Sequence, residues 1–356
     1  MTRVVFTGGG TAGHVTPNIA LIDALKKEKP DCDIHYVGSP DGVERQMITE
    51  LNIPYHAVRS GKLRRYFSLK NFLDPFNLLW GLIQSYVLLH RLKPSIVFSK
   101  GGFVAFPVVV AAWLHRIPVI AHESDLSPGL ANRLSYPFVK TICVTFAAAK
   151  TYFKHQEKVD VTGTPIRAEL LQGHRTEGLA LCGFYSDKPC LLVMGGSQGS
   201  RALNRVVRAA LDDLTHQFQV IHICGQGNID ETFLKRPDYC QFDYVNEGLA
   251  DLFAATDVVV SRAGANSLYE LLVLNLPHVL VPLSLQSSRG DQIQNAKFFE
   301  KEGVSTVIDE QALTPERFIK AVNEVYLKRE EIANKIRALQ IGSATEVILN
   351  KICAYL

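Results

Sequence analysis

The chain of 356 residues carries seven cysteines, an odd number, and no two of them form a C-x-x-C pair. Cys32, Cys143, Cys182, Cys190, Cys224, Cys240 and Cys353 are scattered, which argues against a disulfide framework and a thiolate zinc site and implies a reducing, cytosolic compartment. Long apolar runs are missing too. The stretches 103–114 and 78–89 are interrupted or shorter than the roughly 20 residues a bilayer requires, so no spanning helix is expected. The N-terminus runs directly into a strand pattern rather than into an apolar leader, so a secretory signal is not expected. Low-complexity tracts are absent as well.

What is present is the composition of a soluble globular protein, 47% hydrophobic and 21% charged, at a length suited to about two domains. The net charge of +3 hides an asymmetry. Residues 1–160 hold 19 Lys and Arg against 12 Asp and Glu, a net of +7, whereas the rest hold 19 against 23, a net of −4. A basic N-terminal half calls for an anionic partner or surface.

Two glycine-rich turns of one kind occur, one in each half: Gly8-Gly9-Gly10-Thr11-Ala12-Gly13-His14 and Gly195-Gly196-Ser197-Gln198-Gly199-Ser200-Arg201. Each follows a β-branched run and opens into a helical pattern. Glycines let unpaired amides at a helix N-terminus approach an anion, which the helix dipole also favours. Short apolar runs at 3–7, 34–37, 96–99, 119–122 and 141–144, then at 190–194, 219–223, 257–261, 279–281 and 305–307, alternate with helical patterns. The fold class is therefore α/β, with two Rossmann-like doubly wound domains facing a cleft. Ligands of such sheets bind beyond the carboxyl ends of the strands. The boundary is placed at Gly163-Thr164-Pro165-Ile166-Arg167, because Pro165 moves Thr164 out of the helical region.

Residues 62–93 admit two readings. Asp74-Pro75 opens a helix through Leu79, Trp80, Ile83 and Val87, and the plain reading is a core helix. The other is a peripheral membrane contact, in which Lys62, Arg64 and Arg65 meet anionic headgroups and Phe67 and Phe72 enter the interface while the later helix packs inward.

Several side chains are suited to chemistry. His14 closes the first glycine turn, where a helix N-terminus favours neutral imidazole, so it serves either as a base toward a hydroxyl or as a helix cap. Ser197 and Gln198 with neighbouring amides can hold a diphosphate, and Arg167 can offset charge on a departing nucleoside diphosphate or simply fix the interdomain angle. In Ser261-Arg262-Ala263-Gly264-Ala265-Asn266-Ser267-Leu268-Tyr269-Glu270, Glu270 is the candidate for both ribose hydroxyls; the alternative is a carboxylate favoured by the helix dipole. The amide-rich run around Asp291 and Gln292 suits the hydroxyls of a neutral sugar. A nicotinamide-dependent dehydrogenase is disfavoured, since Tyr36-Val37-Gly38-Ser39 ends the second strand without the ribose carboxylate and Asp41 comes late.

Together GGGTAGHVTP from Gly8, His122-Glu123-Ser124-Asp125 with Pro128-Gly129-Leu130-Ala131-Asn132, Gly163 to Arg167, GGSQGSRALN from Gly195, SRAGANSLYE from Ser261 and DQIQNA from Asp291 resemble the MurG family of peptidoglycan glycosyltransferases. The resemblance is collinear over essentially the whole chain. It implies the GT-B fold and an inverting transfer of N-acetylglucosamine (GlcNAc) from UDP-GlcNAc to the 4-hydroxyl of the N-acetylmuramoyl (MurNAc) residue in lipid I, giving lipid II. It further implies an acceptor- and membrane-binding domain over 1–162, rejoined by a C-terminal helix at about 342–356, and a UDP-sugar domain over 163–341. Thr11, Arg167, Ser197, Val245, Glu270 and Gln292 would lie near the donor. Gly10, Ala12, Gly13, Gly101 and Gly102 would serve the acceptor diphosphate. His14 would be the base, with Asp125 as its alternative. Many relatives have His-Glu-Gln-Asn where this chain has His122-Glu123-Ser124-Asp125, and Gln-Gln where it has Asp291-Gln292.

No cofactor and no metal are expected. Asp31-Cys32-Asp33 offers a carboxylate pair, but it precedes its strand instead of following it. The expected partners are UDP-GlcNAc, lipid I, an anionic membrane surface at the cytoplasmic face, and cell-wall synthesis and division proteins, with no nucleic acid. The rivals are another GT-B enzyme using a UDP-sugar, whether a lipid glycosyltransferase or a UDP-GlcNAc 2-epimerase, and a non-catalytic lipid-diphosphate scaffold.

Overall fold

Alternate residues of each central strand point to opposite faces, and both faces are apolar, so each sheet must be covered on both sides. The computed structural model describes residues 2–61, 74–185, 187–196 and 198–356, and within these the chain forms two units, 1–167 with 343–356, and 168–342. Residues 163–167, read from the sequence as the start of the second domain, pack with the first.

In unit 1 the order is β1 (Arg3–Thr7), α1 (Thr16–Glu28), β2 (Asp33–Gly38), α2 (Val43–Thr49), β3 (Tyr55–Ala57), α3 (Asp74–Leu92), β4 (Ile96–Ser99), α4 (Ala105–Leu114), β5 (Val119–Glu123), α5 (Leu130–Ser135), β6 (Thr141–Val144) and β7 (Val159–Val161). The seven strands pair in parallel as β3-β2-β1-β4-β5-β6-β7. Val4, Phe6, Ile96 and Phe98 enter one core with Leu21, Ile22 and Leu25 of α1, while Val5 and Val97 enter the other with Val108, Val109 and Ala112 of α4.

Unit 2 runs α6 (Arg175–Cys182), β8 (Cys190–Met194), α7 (Arg201–Ala209), α8 (Leu211–Gln217), β9 (Gln219–Ile223), β10 (Tyr239–Phe242), α9 (Leu249–Ala255), β11 (Val258–Ser261), α10 (Ala265–Val273), β12 (His278–Leu280), α11 (Asp291–Lys301), β13 (Ser305–Val307), α12 (Pro315–Leu327) and α13 (Arg329–Ala338). Its six strands are parallel, ordered β10-β9-β8-β11-β12-β13. Local signals set the helix starts. Ser200 caps α7, its hydroxyl accepting from the Leu203 N–H, and Thr314 caps α12 ahead of Pro315. After α13 the chain returns to unit 1 as α14 (Thr345–Cys353), whose Ile348, Leu349 and Ile352 join the core around α1.

Two expectations need correction. The short strands β3, β7 and β10 were not anticipated, and all three lie at sheet edges. Helix α3 packs Leu82, Leu88, Leu89 and Leu92 against the unit 1 core, but the residues expected to face inward do not: Phe76, Leu79, Trp80, Ile83, Tyr86 and Val87 are exposed, and the fully buried positions are Gly81, Ser85 and Leu89. Small residues face the unit because the backbones approach closely; a Cβ on Gly81 would stand 1.9 Å from the Arg59 carbonyl oxygen. The proposed membrane residues Lys62, Arg64, Arg65, Phe67 and Phe72, and Ser197 of the second glycine turn, lie outside the described residues. No helix among the described residues is long and apolar enough to cross a membrane.

Candidate active site

In each sheet the strand order reverses beside the strand that feeds a glycine turn, β1 against β4 in unit 1 and β8 against β11 in unit 2. Such a switch point opens a crevice at the carboxyl ends, where ligands bind.

At the unit 1 switch point the turn after β1 is held from several sides. The Tyr36 hydroxyl donates to the Gly8 carbonyl at 2.8 Å, and Asn18 Nδ2 donates to Tyr36 Oη at 3.0 Å and to the Thr7 carbonyl at 3.3 Å. The Glu44 carboxylate, fully buried, accepts from the Gly10 N–H at 3.2 Å, from the Ser39 N–H at 2.9 Å and from the Ser39 hydroxyl. Ala12, Gly13 and His14 form a 3-10 turn, and His14 Nδ1 lies 3.0 Å from the Gly9 carbonyl oxygen and 3.2 Å from Thr11 Oγ1. The second loop, Gly101-Gly102, follows β4 and meets the first. Gly102 has φ +86°, and a Cβ there would stand 2.4 Å from the Gly9 carbonyl oxygen, so only glycine fits.

Asp125 follows β5, the neighbour of β4. Its turn is organised by Glu123, whose carboxylate accepts from the Asp125 N–H at 3.1 Å, the Gly129 N–H at 3.2 Å, Asn132 Nδ2 at 2.8 Å and the Tyr136 hydroxyl at 3.1 Å. His122, fully buried, has Nε2 2.8 Å from the Gly163 carbonyl oxygen; burial and then the Lys100 charge hold its pKa well below the usual imidazole range, so the ring is neutral and Nε2 donates. Arg167 is the last residue of unit 1 before the chain crosses.

The unit 2 switch point is built similarly. Gly199 has φ +73°, and a Cβ there would lie 2.0 Å from the Cys224 carbonyl oxygen. Arg262, nearly buried, donates to Ser200 Oγ at 2.6 Å, to the Val281 carbonyl at 3.1 Å and to Glu310 Oε1 at 2.5 Å, while Glu310 Oε2 accepts from the Ser284 N–H at 3.2 Å. Burial alone would raise the Glu310 pKa, yet these hydrogen bonds and the guanidinium bring it below the usual carboxylate value. One arginine thus ties together the loops after β8, β11, β12 and β13.

Glu270, half-buried on α10, follows β11, and Gln292, in the first turn of α11, follows the adjacent β12. The Gln292 Oε1 accepts from the Leu283 N–H at 3.1 Å, which commits its carbonyl to the loop and leaves its NH2 group as the donor to any ligand. Val245 follows the edge strand β10, separated from β11 by β9 and β8, and packs against the unit 2 core. Glu44, Lys100, Glu123 and the Arg262–Glu310 pair were not anticipated as site residues. Lys100 had a readable signal, a lysine ending a buried strand just before two glycines. Asp33 of the carboxylate pair bonds Arg3 at 2.5 Å at the start of β2, away from the carboxyl ends. Among the described residues no group of three or more His, Cys, Asp or Glu is placed to hold a metal ion.

The glycosyltransferase family 28 N-terminal domain matches residues 4–144, and the family 28 C-terminal domain matches residues 190–350. A UDP-N-acetylglucosamine--N-acetylmuramyl-(pentapeptide) pyrophosphoryl-undecaprenol N-acetylglucosamine transferase of Legionella pneumophila (strain Paris) is 61% identical over 346 residues, covering 97% of this chain and 95% of that protein. The protein of the same name in Clostridium botulinum (strain Hall) is 51% identical over 355 residues, covering 100% and 99%. The crystal structure of Acinetobacter baumannii MurG superposes with a TM-score of 0.76 at 25% identity, covering 99% of this chain and 100% of that one. A UDP-GlcNAc 2-epimerase from Neisseria meningitidis reaches a TM-score of 0.66 at 12% identity, over 99% of this chain and 100% of that one, which shows the shared fold alone. Two doubly wound units with glycine turns at both switch points, matched by family models over both and by relatives over the full length, make this chain a GT-B glycosyltransferase that belongs to family 28 and, within it, to the MurG transferases.

Proposed function

We propose that the protein transfers GlcNAc from UDP-GlcNAc to the 4-hydroxyl of MurNAc in lipid I, with inversion, forming lipid II. The end-to-end similarity to transferases named for that reaction carries the reading, and the two glycine turns supply its physical basis. Unit 1, with its returning helix, takes the acceptor: the amides of Gly10, Ala12 and Gly13 and the Gly101-Gly102 loop suit its diphosphate. Unit 2 takes the donor, with Glu270 on the ribose, Ser197 on the diphosphate, and Val245 and Gln292 on the nucleotide-sugar. Thr11 and Arg167 act from unit 1.

The chemistry is a single displacement. His14 donates from Nδ1 to the Gly9 carbonyl, so in its neutral form Nε2 is the acceptor nitrogen, and it takes the proton of the attacking hydroxyl. Asp125 is the second candidate for that proton. UDP leaves toward amides and Arg167, which meet charge as it develops and make a metal unnecessary. The protein acts as a peripheral enzyme of the cytoplasmic membrane face. The exposed apolar residues of α3 and the basic run Lys62, Arg64 and Arg65 are suited to an anionic surface.

The test is UDP release from UDP-GlcNAc by the purified protein in EDTA, with and without a short-chain lipid I analogue. Release that depends on the analogue and yields a β-1,4 disaccharide is expected. Release without acceptor would replace the proposal with an epimerase or hydrolase, and no release would leave a binding scaffold.

A further inference from the structure

Glu44, at the start of α2, is fully buried, and the scheme above does not use it. Its Oε2 accepts from the Gly10 N–H at 3.2 Å, and its Oε1 accepts from the Ser39 N–H at 2.9 Å and from the Ser39 hydroxyl. All three partners are donors, the set that an ionised carboxylate takes. A neutral acceptor could fasten the same two loops without burying a charge, so fastening alone gives no reason for a carboxylate here.

The reason lies across one peptide group. The Gly10 N–H and the Gly9 carbonyl belong to the same trans peptide and point to opposite sides of it. Glu44 holds the N–H, and His14 Nδ1 donates to the carbonyl at 3.0 Å, with Thr11 Oγ1 3.2 Å from the same nitrogen. Carboxylate, peptide and imidazole thus form one hydrogen-bonded chain, in which each bond polarises the next. The peptide is clamped on both sides. A Cβ on Gly9 would stand 2.2 Å from Glu44 Oε1, and one on Gly102 would stand 2.4 Å from the Gly9 carbonyl oxygen.

We propose that Glu44 is a positioning residue for His14: acting through the Gly9–Gly10 peptide, it keeps the imidazole proton on Nδ1 and supports the imidazolium that forms when Nε2 takes the proton of the acceptor hydroxyl. The inference rests on the reading of His14 as the base. Glu44 itself takes no proton. A carboxylate bonded directly to a catalytic histidine acts in the same way in hydrolytic triads, and here one peptide stands between the two. The Gly10 amide stays with Glu44, which leaves the acceptor diphosphate the amides of Ala12, Gly13 and the Gly101-Gly102 loop.

The other titratable groups at the turn are Tyr36 on β2, Lys100 at the end of β4 and, acting on Lys100, Glu123 and Asp125 after β5; Asp41 and Arg45 flank Glu44 and are exposed. Burial pushes the Tyr36 hydroxyl up and brings Lys100 down to about 8, so Tyr36 stays neutral and Lys100 charged across the acid limb, where His14 loses its proton. A negative charge behind the ring favours the imidazolium. Removing it therefore moves the acid limb of acceptor kcat/KM to lower pH.

The experiment uses the full-length protein: UDP release with the lipid I analogue varied across pH, thermal unfolding, and histidine NMR without substrate, the His14 signals being identified by their loss in His14→Ala. Glu44→Gln is expected to lower acceptor kcat/KM about tenfold, the low end for a hydrogen bond to a charged group, and to move the acid limb down by about half a pH unit. The His14 titration moves down with it, and KM for UDP-GlcNAc is unchanged. Ser39→Ala loosens the same loop but keeps the carboxylate on Gly10, so it lowers Tm and leaves the limb in place.

An acid limb and a His14 titration that stay put in Glu44→Gln would overturn the proposal, as would an equal displacement in Ser39→Ala. Should Glu44→Gln not fold, the parent decides: its ring-nitrogen shifts must show neutral His14 protonated on Nδ1, and an Nε2–H tautomer refutes the chain. A parent that transfers nothing, or a His14→Ala variant that turns over normally, would sink the functional reading instead, and the His14 titration would still decide the coupling.

Discussion

The tautomer of His14 follows from one contact. The Gly9 carbonyl, 3.0 Å from Nδ1, can only accept, so the ring proton of the neutral form sits on Nδ1. His14→Ala is expected to lower kcat by about a hundred- to ten-thousandfold, the usual range for a general base, while equilibrium dialysis returns the same Kd for UDP-GlcNAc. Unchanged turnover would move the proton to Asp125. Gly102→Ala tests the loop beneath: its positive φ and the 2.4 Å approach to Gly9 make any Cβ strained. A stability loss on the order of 1–3 kcal/mol with a raised acceptor KM is expected, and a parent-like melting curve and KM would contradict it. His14 and both glycine turns were legible because their spacing is local. Glu44 was not, because it reaches Gly10 across 34 residues and nothing beside it in sequence marks a buried carboxylate.

Among the elements, the buried strands were readable and the edges were not. Strands such as β4 and β11 are buried at every position and read as apolar runs closed by a serine, whereas β3 and β7 are three residues long and partly exposed, too short for either period to register. Helix α3 shows a different limit. Residues 76, 79, 80, 83 and 87 repeat at helical spacing, which identifies an apolar face but not what that face meets. The structure turns it outward, with Gly81 and Ser85 on the buried side. The face is therefore suited to lipid, and Leu79→Glu with Ile83→Glu should cut cosedimentation with anionic vesicles at least several-fold at an unaltered Tm, since both side chains are about half exposed. Added salt should weaken what binding remains through Lys62, Arg64 and Arg65. Vesicle binding untouched by the double substitution would take the contact away from α3.

For the whole molecule the decisive feature is that the chain leaves unit 1 at Arg167 and comes back at Ser343. The two passages are tied within unit 1, where the Ala344 N–H donates to the Thr164 carbonyl at 3.3 Å and Thr345 Oγ1 to the Ile166 carbonyl at 3.0 Å. Lys351 Nζ then pairs with Asp160 at 2.7 Å, and Ile348, Leu349 and Ile352 close the core over α1. No composition shift or repeat announces this return; the resemblance to a known family supplied it. Unit 1 thus depends on its last residues for a layer of its core. Ile348→Ala is expected to cost about 2–5 kcal/mol, the range for a buried aliphatic truncated without collapse of the site. The effect can be assigned to its unit, because both tryptophans, Trp80 and Trp113, belong to unit 1. In urea the fluorescence midpoint should fall, while the part of the far-UV circular dichroism transition that comes from unit 2 stays in place. An unmoved fluorescence midpoint would mean that α14 is dispensable to the core it lies on.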